Sequence, residues 1–414
     1  MTSKKIYLVA ISTWFAAFGM QSVVFAWLVT MLLREPAERV GYAQMSILLP
    51  GMLLILLAGA IADRVGLRRQ ALWSQLFAAL TPMLLIYFLY FDALSYSVII
   101  VYALLMGLAQ AFVTPARDGL LNHVAGDNIQ RMVVLASLCQ FGFQIFGYAL
   151  AGFADSVGAP LILGVQTLVL AFGVWAFTQV HLPSSPQSES ASADDLVVRE
   201  TIFGGLYAGA RTVGSHPVMR MVVVQNVAMG CFFMGAFVVG FPLVMREVYD
   251  GTSGDLASLN AFNSLGLVLS LLLLLKIGYI QRVGRALLLS QVAGSVVLFL
   301  CGWVNDLVSF TILVMVWGLC GGFAMPMSRT LMQQLAPPHQ HGRVMSFYSF
   351  SFMGSGPLGA LFCGYMANLW GAQVAIICCA IAMLATTLTI GLFSPLWRSA
   401  IPSQPLQNAS GEAA

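Results

Sequence analysis

GAIADRVGLRRQ, residues 59–70, sets one acid and three arginines directly behind an apolar run that carries no charge between Val40 and Ala62. A helix that crosses a bilayer needs roughly 20 apolar residues, so this stretch reads as the end of a span followed by a charged turn. The same alternation continues through the chain. Of 414 residues, 59% are hydrophobic and 8% charged, too little charge to cover a soluble domain of this length.

Cutting at charged and turn-rich breaks gives twelve apolar segments: 7–33, 40–61, 71–91, 94–116, 132–154, 159–181, 218–245, 256–277, 286–305, 307–328, 343–368 and 371–394. Each is long enough to span. Lys4 and Lys5 precede the first run, which continues to Leu33, too long for a cleaved signal, so a retained first helix is expected. Between the sixth and seventh segments lies VHLPSSPQSESASADD, a Ser/Pro-rich linker. The adjoining LVVRETIFGGLYAGARTV has helical spacing suited to the membrane surface. The expected division is a six-helix bundle over 1–181, a cytoplasmic linker with an amphipathic helix over 182–217, a second bundle over 218–394 and a cytoplasmic tail over 395–414.

With the N-terminus inside, sixteen of the nineteen Lys and Arg residues fall on the inner side, and only Arg34, Arg39 and Arg246 fall outside. Basic loops stay cytoplasmic, which predicts cytoplasmic termini in a bacterial inner membrane. Net charge of +3 then reflects topology, and no nucleic-acid partner is implied.

The chain also repeats itself. Glycines 142, 147 and 152 in the fifth segment recur as 354, 359 and 364 in the eleventh, an offset of 212. The same offset carries Arg117 onto Arg329 and Arg131 onto Arg343, and RVG at 64–66 recurs at 282–284. Two parallel copies of one bundle are expected, an arrangement used by transporters that rock two halves about a midplane site.

With these features the chain resembles the major facilitator superfamily over nearly its whole length. The likeness rests on twelve spans, the six-plus-six split and GAIADRVGLRR, which matches the superfamily's Gly-x-x-x-Asp-Arg-x-Gly loop with basic residues after it. The pairs around Arg117 and Arg329 resemble the branch of bacterial drug, macrolide and siderophore exporters. Several residues depart from that pattern: Leu67 where a basic residue is usual, Gly107 three residues before Gln110 where many proton-coupled antiporters have arginine, and Tyr148 after Gly147 where they have proline. The Gly356-Pro357 pair lies instead in the eleventh segment.

The resemblance implies an all-α membrane fold of two pseudo-symmetric six-helix bundles and a conformational latch on the cytoplasmic side. Latch candidates are Gly59, Asp63, Arg64, Gly66, Arg68, Arg117, Arg329 and Arg343. Asp63 is expected to face the start of the eleventh span, near Arg343 and Ser346, and to pair with Arg117; Gly59 would let those two helices approach closely. Topology alone also accounts for basic residues such as Arg68 and Arg69.

All sixteen acids lie in loops, tails or near span ends, so no carboxylate is expected at mid-membrane, where an ionisable group is functional by default. Cavity candidates are therefore uncharged or aromatic: Gln21, Phe25, Gln110, Gln140 and Gln144 one turn apart, Asn226, Asn263 and Trp317, with Phe232 and Phe233 as apolar wall and Gln225 and Asn260 nearby. Ordinary helix-to-helix hydrogen bonding is the competing reading for each amide. The seven cysteines sit in apolar stretches without CxxC spacing, and read as small buried hydrophobes. His339 and His341 lie two apart in a basic loop, which fits a solvated turn better than a metal site.

No GxxxxGK[ST], HExxH or GxSxG is present, so neither direct ATP use nor hydrolysis is expected, and no cofactor or metal. Together these readings predict a monomeric secondary transporter in a lipid bilayer that moves a small molecule by alternating access, most simply by exporting an amphipathic compound or siderophore. The driving proton or ion gradient is open. An importer on the same fold, or a sensor that kept the fold without transport, are the alternatives.

Overall fold

A computed structural model describes residues 3–125, 129–180, 202–278, 280–337 and 340–398. It is helical throughout these residues. The first half comprises α1 (Ser3–Trp27), continued by a π-helical turn Leu28–Leu32, α2 (Ala37–Val65), α3 (Leu67–Tyr90), α4 (Tyr96–Ala125), α5 (Ile129–Ala151), the short α6 (Ala154–Val157) and α7 (Ala159–Thr178). After the linker helix α8 (Ile202–Ser215), one long span is assembled from α9 (Pro217–Ala228), π-helical turns Met229–Phe233 and Ala236–Gly240, and α10 (Phe241–Glu247). The second half continues with α11 (Ser253–Ile277), α12 (Val283–Cys301), α13 (Leu307–Leu335), α14 (His341–Trp370) and α15 (Ala372–Phe393).

Ten of these spans meet both a length and a hydropathy criterion for crossing a membrane. α2 and α14 complete the twelve by length and packing; α14 carries four serines from Ser346 to Ser355, which lowers its hydropathy. Helix ends extend several residues past the apolar runs, because a helix continues into the polar interface until a cap stops it. The stops are local. Gly66 makes the whole turn between α2 and α3 with φ of +94°, a conformation that costs a side-chain-bearing residue ~1–2 kcal/mol. Thr252 and Asp255 form a reciprocal capping box at the start of α11, and the Asp306 carboxylate accepts from Ser309 N at the start of α13, each satisfying otherwise orphaned N–H groups.

The repeat has a structural counterpart. In the first half, α1 packs on α5 and α7, α2 on α4, and α3 on α4 and α7; in the second, the α9–α10 span packs on α14 and α15, α11 on α13, and α12 on α13 and α15. The halves meet along two seams, α2 with α14 and α5 with α11, which the pseudo-twofold axis exchanges.

Two of the three repeated glycine pairs, Gly147 with Gly359 and Gly152 with Gly364, are contact points. A Cβ on Gly147 would lie 2.1 Å from the Ala16 carbonyl oxygen, and one on Gly359 would lie 2.0 Å from that of Cys231. Each notch lets one backbone rest on another, as small residues do between membrane helices. Long apolar side chains such as Leu275, Leu392 and Phe393 point outward, more than 70% exposed, as a lipid-facing surface requires.

Candidate functional site

Ser3 and Arg398, the first and last described residues, lie on one face of the bundle, called here the terminal face, and the α1–α2 and α5–α7 connections on the opposite face. At the terminal face the expected latch residues are spread out. Arg68 donates from Nε to the Phe177 carbonyl at 3.2 Å and from Nη2 to that of Thr178. It therefore caps the last turn of α7, where free carbonyls attract a cation. Arg117 ion-pairs with neighbouring Asp118 at 3.0 Å and stacks on the Phe15 ring at 4.7 Å. Asp118 and Phe15 are thus its described partners in this conformation. The Asp63 side chain lies outside the described residues, as does that of Arg131. Arg64, Arg329 and Arg343 are exposed.

In this conformation a Cβ at Gly59 would meet nothing within 4 Å. The α2–α14 seam is tightest at the opposite face instead, where a Cβ on Gly364 would lie 2.8 Å from Gly41 Cα. The linker helix does not float free on a surface, since Gly209 rests on the Arg343 backbone carbonyl and Thr212 donates to Gln340. Its upstream segment, 181–201, lies outside the described residues, as do the tail beyond Arg398 and His339.

At the opposite face the halves are locked together. The Asp155 carboxylate, on α6, accepts from Ser253 N at 2.5 Å in the first turn of α11 and from Trp27 Nε1 at 2.9 Å. Ser253 Oγ donates to the Gly152 carbonyl at 3.0 Å and accepts from Asp155 N at 3.1 Å. From the other side, Arg246 Nη1 reaches the carbonyls of Thr30 at 3.3 Å and Glu35 at 2.6 Å. Its Nη2 holds Glu247 at 2.8 Å, and Glu247 accepts from Ala372 N at 3.2 Å. Sequence reasoning places these residues outside but gives them no role.

Between the two faces, the cavity candidates divide. Gln144 donates to the Tyr148 hydroxyl at 2.5 Å, and Gln140 one turn earlier is half-buried. Asn226 donates to the Tyr348 carbonyl at 3.0 Å and to Ser351 Oγ at 2.8 Å, joining its span to α14. Asn263 reaches the Val314 carbonyl at 3.4 Å and packs under Gly318 of α13. Those two amides act as struts within the second half. Gln225 likewise donates to Thr387 at 2.8 Å, and Asn260 to its own helix at Leu256.

Gln21 is buried on α1, and Gln110 is half-buried on α4. The Phe25 ring stacks on Tyr102 at 6.1 Å. Trp317 sits in an aromatic column with Phe233, Phe237 and Phe241, ring centroids 5.3 to 6.1 Å apart, and its indole N–H has no acceptor among the described residues. Phe232 packs instead on Phe362. No three His, Cys, Asp or Glu side chains converge on a metal position among the described residues.

Twelve spans in two pseudo-symmetric bundles, meeting along two seams and locked at one face, define a membrane transporter of the major facilitator fold. The chain belongs to the transmembrane secretion effector family, whose model matches residues 3–409. It is 26% identical over 392 residues to the multidrug efflux pump Tap of Mycolicibacterium fortuitum, covering 92% of this chain and 93% of that one. It is 24% identical over 375 residues to the staphyloferrin A transporter of Staphylococcus aureus, covering 88% of each. Among solved structures, the nucleoside transporter NupG superposes with a TM-score of 0.71 at 12% identity, covering 94% of this chain and 98% of that one. A bacterial homologue of the lysosomal transporter Spinster, in an inward-facing and unoccupied conformation, superposes with 0.67 at 13% identity, covering 95% and 96%.

Proposed function

We propose that this chain exports a small amphipathic compound or a siderophore across the bacterial cytoplasmic membrane by alternating access, as a monomer with both termini in the cytoplasm, driven by a proton or ion gradient. The observation that carries the reading is the unequal joining of the halves. At the opposite face, Asp155 and Arg246 cross between them, while at the terminal face Arg68 and Arg117 are engaged within their own half. Halves joined at one face represent one of the two end states such a cycle requires. Relatives named as a drug pump and as a siderophore transporter support the substrate class. The uncharged lining candidates suit a bulky neutral or weakly charged molecule.

In this reading the terminal-face residues Gly59, Asp63, Arg64, Gly66, Arg68, Arg117, Arg329 and Arg343 form the latch of the other end state, and Gln21, Phe25, Gln110, Gln140 and Gln144 line the path. The test is loading of a fluorescent amphipathic dye and of a ferric siderophore into cells with and without the protein, each with and without a protonophore. Export predicts lower retention with the protein present, lost with the protonophore, and lost in Asp63→Asn at unchanged membrane abundance. Higher uptake with the protein would reverse the direction. Equal retention of every compound would leave a non-transporting partner as the better reading.

A further inference from the structure

The opposite-face junction has an internal logic that neither the family nor the topology dictates. Asp155, an acid of the first half, sits on the N-terminal turn of α11 in the second half. Arg246, a base of the second half, sits on the carbonyls that close span 1 in the first half. Helix N-termini favour anions and C-termini favour cations, so each half offers a charge to the helix end of the other. Both contacts are charge-assisted and at hydrogen-bond distance, the stronger class of such bonds.

The surroundings are built to support these two contacts. Trp27 Nε1 holds the second carboxylate oxygen of Asp155, which fixes the plane of the carboxylate toward Ser253. Gly152 brings the backbones together, since a Cβ there would lie 3.0 Å from Ala257 Cβ and 3.4 Å from Gly254 Cα. Glu247 holds the Arg246 guanidinium from behind. Arg34 takes φ of +49°, and the next residue donates its N–H back to the Val29 carbonyl at 3.1 Å. That is a left-handed helix stop of the kind usually assigned to glycine, and it leaves the carbonyls of Thr30 and Glu35 pointing at Arg246.

The two halves use the same dipeptide differently. Arg34-Glu35 recurs as Arg246-Glu247 at the offset of 212 seen in the glycines. Strict symmetry would have Arg34 clasp the carbonyls of Pro242 and Glu247. Pro242, however, lies inside α10, which continues to Glu247, so its carbonyl stands within a helix rather than at its end. Arg34 is exposed. One copy of the repeat has become a clamp and the other has become the helix stop that presents its target.

We infer that Asp155 and Arg246 form the lock of the opposite gate, a reciprocal pair of charge-on-helix-end contacts that must both break before that face opens. This rests on the transport reading for its purpose, not for its geometry. It assigns gating to two residues remote from the charged loop at 59–70, and it makes the loss of either contact shift the balance between the two end states on the order of tenfold, the size expected for one charge at a helix terminus.

The test uses the full-length protein in lipid nanodiscs with its native cysteines replaced and spin labels at Ser156 and Val308, one exposed residue of each half at the opposite face. Pulsed dipolar distances should give one dominant short population in the parent. Asp155→Asn, which leaves only one acceptor oxygen for two donors, and Arg246→Gln should each raise the ratio of long to short distances about tenfold. Glu38→Gln, a charge of the same face that accepts from Tyr42 on its own helix, should leave it unchanged. Distributions for Asp155→Asn and Arg246→Gln that superimpose on the parent would overturn the lock. Transport is measured separately on the same variants: a shifted distance distribution in a chain that moves no substrate keeps the lock and removes the transport reading, while normal transport with unshifted distances does the reverse.

Discussion

Replacing Gly147 by alanine adds one methyl group where α1 and α5 touch. That methyl would begin 2.1 Å from the Ala16 carbonyl oxygen, 3.0 Å from its carbon and 3.0 Å from Met20 N. Ordinary van der Waals contact needs about 3.4 Å or more, so the two helices must part by roughly 1 Å, and the atoms in the way are backbone rather than a side chain that can swing aside. Overpacking of this kind typically costs 1–3 kcal/mol. Gly359→Ala should cost the same, because its methyl would begin 2.0 Å from the Cys231 carbonyl oxygen and 2.7 Å from its carbon. Gly142 belongs to the same repeat but meets nothing within 4 Å, so Gly142→Ala should be neutral or stabilising by up to ~1 kcal/mol through helix propensity. Thermal unfolding of the purified protein, followed by tryptophan fluorescence, ranks the three. Equal midpoints for Gly142→Ala and Gly147→Ala would refute the notch as the reason the glycines repeat.

Asn226→Leu removes two bonds, to Tyr348 O and Ser351 Oγ; at about 0.6 kcal/mol for an average membrane hydrogen bond it should cost roughly 1 kcal/mol in thermal stability and leave the substrate profile intact. A changed profile in the dye-retention assay would return Asn226 to the cavity. Asp306→Ala tests a cap through pH. The bond from Ser309 N holds the Asp306 carboxyl below its ordinary value, so its stabilisation is present above the unfolded carboxylate range of about pH 4 and fades as pH falls through the folded value. The substitution should lower the melting midpoint at neutral pH and lose that effect in acid; a deficit that persists unchanged at low pH would assign the role to packing.

Much of the architecture is legible in the sequence because its causes are periodic or compositional. Apolar length counts the spans, and the offset of 212 relating Gly147 to Gly359 foretells two notches that the structure builds from matching carbonyls. Gly66 stands out within a loop pattern, and its φ of +94° supplies the physical reason. The latch geometry is less legible. Arg117 meets the adjacent acid, Asp118, at 3.0 Å and the Phe15 ring at 4.7 Å, contacts that a charge at a span end does not announce.

The opposite lock is invisible in the sequence for a different reason. A side chain that pairs with another side chain leaves two marks in a sequence, whereas one that pairs with backbone leaves a single mark. Arg246 binds two carbonyls and Asp155 binds a main-chain N–H, so each has only its own charge to announce it, and topology already accounts for charge at a span end. The same asymmetry misleads a reading of the amides. Asn226 and Asn263 stand out as polar groups in want of a partner, and both find one in a neighbouring helix's backbone carbonyl, at Tyr348 and Val314. In a bilayer every main-chain polar group at a helix end, stop or π-helical turn must be satisfied inside the protein. Isolated charges and amides near such breaks are therefore best matched first to the exposed main-chain groups of the break itself, and only the remainder assigned to a cavity. By that criterion Gln140, half-buried on α5 and one turn from the Gln144–Tyr148 bond, stays a candidate for the cavity.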